Sequence, residues 1–509
     1  MNAVRRGLVG GIRAVVAAAA LLLTDAAAYS FPVSGDQTVL PVGTELNEEA
    51  LALPREIFHS ESIGGRKSYL VDLGDLAFSS PSILGGVARR AGISCHTCHV
   101  NGAANAKLYV PGLSSRPGNF DTTSALFNEK ADNFVRDPVR VPSLRGARYL
   151  APYGHDGRMS SLRDFVRNVI VNEFSGAEPA PSLLDALVAY IQDIDFLPNP
   201  RLGPGGRLTA SASDAERRGE ALFNRPFPKN AALSCASCHN PTGTFVDHQQ
   251  HDVGSGGLIR TPTLVNANFS APYFHDGRFD TYQQVVDYFD QEFELGLADQ
   301  DKLDLVAYLN AVGDGRQPYE SDTVGAEFKE LNDFLSVLDT AIPAHDTDTI
   351  ALAVETVGGE LRELTEWFPD RQDISVAGGE QERALARTAL KQLVLSLRRI
   401  QLFAAAGQFD DARTTYGDVK KLATAAVPML LVNAQPWSLF NRAIHDAHYG
   451  ALRQMLPAGV SGAAAAYPGS DTKQSSFCDR CGAALSSSRD NLRLPMMAPG
   501  GTQHDAVSH

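Results

Sequence analysis

The sequence predicts a mainly α-helical chain: two tandem copies of one small helical domain, followed by an α-helical bundle. Three observations carry that expectation. The hexapeptide Ser94-Cys95-His96-Thr97-Cys98-His99 returns as Ser234-Cys235-Ala236-Ser237-Cys238-His239. Residues 139–158 align with 259–278 without a gap, with eleven identities in twenty positions, and end in Pro152-Tyr153-Gly154-His155-Asp156-Gly157-Arg158 and Pro272-Tyr273-Phe274-His275-Asp276-Gly277-Arg278. Blocks that recur in the same order mark a duplicated structural unit. Beyond residue 318 both signals stop. There, Phe328, Leu331, Leu335, Leu338 and Ile342 fall on one helical face, as do Leu390, Leu393, Val394 and Leu397.

Taken in order, residues 1–28 read as a secretory signal. Arg5, Arg6 and Arg13 supply the positive region, Ala14 to Leu23 the apolar core, and Ala26-x-Ala28 the cleavage site. That apolar run is about ten residues, too short for the roughly twenty a membrane span needs. The mature chain is therefore expected to be exported, periplasmic or otherwise, with no membrane span. Residues 29–80 form a lead-in. The first domain, 81–200, opens with a short helix from Leu84 to Arg90 that feeds the first Cys-His motif. A polar loop region follows over 100–139, then helices from Ser160 to Phe174 and from Leu183 to Ile194. The second domain, 201–317, opens with a capped helix from Asp214 to Phe223 and closes with Leu305-Val306-Ala307-Tyr308, the echo of Leu187-Val188-Ala189-Tyr190. The motif histidine precedes His155 by 56 residues and His275 by 36, so the length change lies in a loop.

Residues 318–457 read as an antiparallel helical bundle with self-sufficient apolar faces, including helices from Asp410 to Leu430 and from Trp437 to Leu456. Its His445 and His448, at i and i+3, either ligate a metal or pack. The tail, 458–509, is rich in Ala, Gly, Ser and Pro and is expected to be disordered. Its Cys478 and Cys481 look like half a zinc ribbon, but no second pair completes four ligands, leaving a local disulfide or an idle pair. A net charge of −14 argues against a nucleic-acid partner, whose phosphates need a basic surface.

The chemistry resides in C-x-x-C-H, the attachment signature of c-type haem. Thiols at i and i+3 share one helical face, so both reach the vinyl groups of one porphyrin, and the adjacent histidine is placed to ligate its iron. Cys95, Cys98, Cys235 and Cys238 are thus the expected thioether positions, His99 and His239 the iron ligands, and two covalently bound haem c groups the cofactors. Zinc, redox and disulfide readings compete for a lone C-x-x-C, but not for two copies that each run directly into His in an exported chain.

Over roughly 80–315 the chain resembles the bacterial di-haem cytochrome c peroxidase/MauG family, on its two C-x-x-C-H motifs, its R-x-P-x-L segments and its Pro-Tyr-x-His-Asp-Gly-Arg elements. The resemblance implies two cytochrome c-like domains facing across a pseudo-twofold, with one haem relaying electrons and the other meeting hydrogen peroxide. It also implies calcium between the haem domains and a small redox protein as electron donor. In such folds a proline-marked loop supplies a carbonyl to the proximal histidine, making the segments around Pro142 and Pro262 candidates. Arg140 and Arg260 are then placed to pair with haem propionates, unless they are surface charges. Asp156 and Asp276 read either as part of the site or as turn residues.

The sixth iron ligands depart from the family pattern. Where family members carry Met or Tyr beyond the second H-D-G element, Phe289 stands here with Tyr288 before it, and Met159 is the only methionine of the haem region. Tyr288, His275 or an open site remain for the second haem. His155 and His275 either ligate iron or hydrogen-bond between the domains. In the first domain the family's W-D-G-R tryptophan is His155, and the family's Gln and Glu positions fall on Phe165 and Ser175. Glu173 is the nearest carboxylate to serve as distal acid/base, with Glu292 as its repeat counterpart. The resulting expectation is a peroxidase, the alternatives being an electron-transfer cytochrome without peroxidase activity or a MauG-like oxidase acting on a partner protein.

Overall fold

The computed structural model describes residues 39–46, 55–316, 324–370 and 379–439, with 441, 443, 444 and 447. The expected signal peptide, the tail with Cys478 and Cys481, and His445 and His448 lie outside these residues. The chain is mainly α, with only two two-stranded sheets among the described residues. None of the described helices is long and apolar enough to cross a membrane.

The two repeats carry the same elements in the same order. The first runs from α1 (Tyr69–Phe78) through the Cys95–Cys98 turn and the strand pair β1 (Asn119–Phe120) and β2 (Val139–Arg140). It continues to α2 (Leu162–Asn168) and ends with α3 (Pro181–Asp193). The second runs from α4 (Asp214–Phe223) through the Cys235–Cys238 turn, β3 (Gln250–His251) and β4 (Ile259–Arg260) to α5 (Tyr282–Glu292) and α6 (Asp299–Val312). The sequence reading put the entry helix of the first repeat at 84–90, inside a domain starting at 81. A short helix does stand there, Gly86–Arg90, but the counterpart of α4 is α1, within the expected lead-in.

Glycine makes that correspondence physical. A Cβ on Gly74 would sit 2.0 Å from the Ala186 carbonyl oxygen, and one on Gly219 would sit 2.0 Å from that of Asp304. Only a bare Cα lets α1 cross α3, and α4 cross α6, so closely. One turn later Phe78 meets Tyr190 and Phe223 meets Tyr308, each pair with ring centroids 5.0 Å apart. The same phenylalanines lie 6.3 and 6.5 Å from the rings of His99 and His239. Two crossed helices and an aromatic wedge therefore back each motif histidine.

The bundle comprises α7 (Val324–Ser336), α8 (Thr347–Glu366), α9 (Glu380–Ala405) and α10 (Phe409–Trp437), with α9 between α8 and α10 and α7 touching both α8 and α10. The residues predicted on its apolar faces are buried. Helix α10 continues through Pro428 and Pro436 to Trp437, and most of the helix expected from Trp437 to Leu456 lies outside the described residues. The expectation of self-sufficiency is corrected. Helices α7 and α8 pack on α1, and Phe328, Leu331 and Phe334 share one continuous core with Leu73, Leu76 and Phe78. Ion pairs Arg55–Glu330 and Arg89–Glu355, at 3.8 and 4.0 Å, border that contact. The second repeat has a separate core around Phe223, Phe245, Tyr308 and Val312.

Candidate functional site: two matched histidine centres

Each attachment motif is one helical turn entered through a serine. Ser94 and Ser234 open the turns with reciprocal capping boxes to Thr97 and Ser237, which bonds end groups that so short a helix leaves open. Cys95, Cys98, Cys235 and Cys238 form no disulfide. Burial pushes the Cys95 thiol up to about 12 and that of Cys235 up to about 11. Both are therefore held protonated near neutral pH.

The His99 ring is oriented by its neighbours. Its Nδ1 donates to the Pro142 carbonyl at 3.0 Å, which leaves Nε2 as a lone-pair donor. Burial holds its pKa down to about 4, so the ring is neutral, the form that binds metal. His239 Nδ1 donates to the Phe245 carbonyl at 3.3 Å, with the Pro262 backbone also contributing, and burial likewise lowers its pKa. A carbonyl on the second ring nitrogen fixes tautomer and orientation. Beside the second motif turn, the ligand atoms of Cys238, Asp247 and His251 lie within 4.8 Å of one another.

Between the centres the repeats clasp each other reciprocally. The Arg140 amide donates to the His275 carbonyl at 2.8 Å, and the Arg260 amide to the His155 carbonyl at 2.9 Å. Asn119, paired with Arg140 across β1–β2, donates its amide to the Asp276 carbonyl at 2.6 Å, and Gln250, paired with Arg260 across β3–β4, does the same to Asp156. Each H-D-G-R turn is thus seated on the strand pair of the opposite repeat. Asn119 and Gln250 were missed in the sequence because the aligned block begins twenty and nine residues after them.

Arg140 and Arg260 are enclosed at this seam. Arg140 donates to the Ser270 carbonyl at 2.9 Å, and Arg260 to the Gly154 and Leu150 carbonyls at 2.9 and 3.3 Å. Among the described residues neither forms an ion pair with a carboxylate, and Arg140 Nε is buried without a partner. Burial, with the like charge of Arg260, pushes the Arg140 pKa down to about 10. Burial lowers that of Arg260 too. Buried cations without counter-ions are costly. The carboxylates of a haem would supply what the protein does not, so the residues present fit that group.

His155 and His275 diverge despite their matched positions. His155 Nε2 donates to the Arg140 carbonyl at 2.6 Å, and burial drives its pKa down to about 3. Iron ligation through Nε2 would break that bond. The His275 Nδ1 is buried with no partner among the described residues. The Tyr288 hydroxyl donates to the Val253 carbonyl at 2.6 Å, its ring against Phe274 and Phe279. Met159 pairs with Tyr153 through its backbone, as Phe279 pairs with Tyr273. Asp156 and Asp276 accept from the Arg158 and Arg278 side chains of their own turns.

Glu173 is only 6% exposed. Arg158 donates to its Oε1 at 2.9 Å and Asn168 at 3.1 Å. Burial raises its pKa, while Arg158, Thr122 and Asn168 pull it back. Glu292 is exposed.

Comparison with known proteins agrees with this geometry. A family model described as di-haem cytochrome c peroxidase matches residues 215–344. The chain is 25% identical to hydrazine synthase subunit gamma of Kuenenia stuttgartiensis, over 52% of this chain and 83% of that one. It is 24% identical to the methylamine utilization protein MauG of Methylorubrum extorquens, over 48% of this chain and 77% of that one. A solved MauG-like protein associated with microbial copper homeostasis aligns with TM-score 0.35 and 17% identity, over 51% of this chain and 92% of that one. The paired motifs and their oriented histidines agree with the match of residues 215–344 to the di-haem cytochrome c peroxidase family, whose cofactor is haem c.

Proposed function

We propose that the protein is an exported di-haem peroxidase that reduces hydrogen peroxide to two waters, using two protons and two electrons from a small redox protein. The observation that carries this reading is Glu173, an interior carboxylate in the first repeat with no buried counterpart in the second. Bound haem would supply the iron that takes up peroxide and the route by which electrons reach it. The remaining roles fall to side chains. His99 and His239 would hold the irons with neutral, oriented rings. Arg140 and Arg260 would neutralise the propionates. Glu173 would accept a proton from one peroxide oxygen and return it to the other, the transfer that lets the O–O bond part as water. Covalent attachment through Cys95, Cys98, Cys235 and Cys238 and export through residues 1–28 belong to the same proposal.

An electron carrier would need a sixth ligand on both irons. The Tyr288 hydroxyl and His155 Nε2 are committed to backbone carbonyls, which speaks against ligation through those two atoms. The test is the ferric spectrum of the haem-loaded protein together with peroxide consumption fed by a reduced small cytochrome or cupredoxin. The expected outcome is a high-spin charge-transfer band and two donor molecules oxidised per peroxide. Low-spin irons in every redox state, with no peroxide consumed, would make the protein a carrier. Peroxide consumption coupled only to oxidation of a protein substrate would make it a MauG-like oxidase.

A further inference from the structure

Between the H-D-G-R turn and the Glu-Phe pair the repeats differ by one residue, and their carboxylates meet different neighbours. Helices α2 and α5 start in register, each capped by the residue six places after its H-D-G histidine: Ser161 after His155 and Thr281 after His275. They end out of register. Glu173-Phe174 follows His155 by eighteen and nineteen residues, and Glu292-Phe293 follows His275 by seventeen and eighteen. Just beyond, Ser175 and Glu294 each take a left-handed conformation, with φ of 53° and 49°, so the Glu-Phe pairs are equivalent and the extra residue lies before them. The backbone shows where. Residues Val169–Glu173 form a π turn, and the Phe174 amide reaches back five residues to the Val169 carbonyl at 3.1 Å. Helix α5 is α-helical throughout.

A π turn absorbs one inserted residue, so the residues after it keep the faces they would have without the insertion. The surroundings of the two equivalent Glu-Phe pairs nonetheless differ. Phe174 enters an aromatic cluster, 5.0 Å from Phe127 and 6.5 Å from Phe120, whereas Phe293 stacks outside on Phe289. Glu173 turns inward, whereas Glu292 stays in solvent. The H-D-G-R arginines then part company. Arg278 gives itself to Asp276, with its guanidinium 4.8 Å from the Phe274 ring centroid. Arg158 spans two carboxylates, Asp156 at 3.1 Å and Glu173 at 2.9 Å.

We infer that Arg158 is the residue that positions Glu173 as an interior acid–base group peculiar to the first repeat. The inference rests on the peroxidase reading for its use, but not for its geometry. From the elements packed around Glu173, the groups that face it are Arg158, Asn168 and Thr122, and only Arg158 is charged. Arg158 therefore sets both the orientation of the carboxylate and the pH at which it gives up its proton. Burial works against ionisation, and the guanidinium works for it.

The test uses the haem-loaded full chain. In infrared difference spectra the carboxylic acid band of Glu173 is identified by its loss in Glu173→Gln, and its pH midpoint is followed alongside the pH profile of peroxide consumption. Arg158→Gln is expected to move that midpoint upward by about 1–3 pH units, with the acid limb of activity moving equally. Arg158→Lys should restore part of the shift, and Arg278→Gln should leave the midpoint where it was. A midpoint unmoved in Arg158→Gln would overturn the inference. If the wild-type protein consumes no peroxide while the infrared midpoint moves as described, the peroxidase reading fails and the positioning role stands.

Discussion

A chain ending at residue 316 is expected to lose the stability of its first repeat while keeping that of its second. The reason is the shared core. Helices α7 and α8 cover α1, and α1 in turn crosses α3 at Gly74 and carries Phe78 against Tyr190, behind His99. Removing the bundle exposes that face. Re-exposing two or three large apolar side chains at about 1.5–3 kcal/mol each costs on the order of 5 kcal/mol, a large part of the stability of a small domain. The second repeat packs around its own core and has no such dependence. Thermal melts followed at each haem's absorption should then separate, with the first haem perturbed at lower temperature than in the full chain. Unaltered melting of both haems would mean that the contact contributes little and that the bundle is an appended module.

Replacing Glu173 by Gln should slow peroxide turnover by about 10²–10⁴-fold and at the same time relieve the fold. The two effects have one origin. Burial raises the Glu173 pKa above its ordinary 4.5, and the Arg158 ion pair only partly offsets it. A carboxyl whose folded-state value is raised contributes stability while protonated, at pH below its unfolded value. That contribution is lost as pH rises through the folded value. Wild-type protein should therefore lose stability relative to Glu173→Gln as pH rises from the carboxyl's ordinary 4.5 through the raised folded value. Urea midpoints for both proteins across that range measure it. A difference that stays flat, or one that favours the wild type increasingly at high pH, would mean that the ion pair outweighs burial. A gain in stability alongside lost turnover is the pattern of a group kept for chemistry rather than for folding.

The sequence revealed the duplication because the attachment motifs and H-D-G-R elements are rigid, chemically constrained segments that cannot drift. It concealed α1 because the lengths between helix and motif differ. Phe78 lies seventeen residues before Cys95, and Phe223 lies twelve before Cys235, and the short Gly86–Arg90 helix in the longer loop imitates the missing element. The matching signal was present: a glycine, an acidic residue and a phenylalanine four residues after the glycine, as Gly74-Asp75-x-x-Phe78 and Gly219-Glu220-x-x-Phe223. Apolar spacing located the bundle's buried faces, but spacing does not say what a face packs against, so the shared core was invisible. Glu173 and Glu292 were paired in the sequence without a sign that one is buried and the other exposed. Arg158 and Thr122, which meet Glu173, are distant from it in sequence, and nothing local places them beside it. Arg158 was read as part of a repeated motif, and nothing local distinguishes it from Arg278. The difference lies fifteen residues away.

The central claim is that each repeat holds its own haem through its own pair of cysteines. The most direct measurement is the mass of the intact chain after expression with a cytochrome c maturation system, taken under denaturing conditions that strip any non-covalent cofactor. The account predicts a mass increase of two haems per chain, falling to a weakened or single attachment in Cys95→Ala and again in Cys235→Ala. A denatured chain carrying no haem, or a protein isolated with zinc at its cysteines, would contradict it.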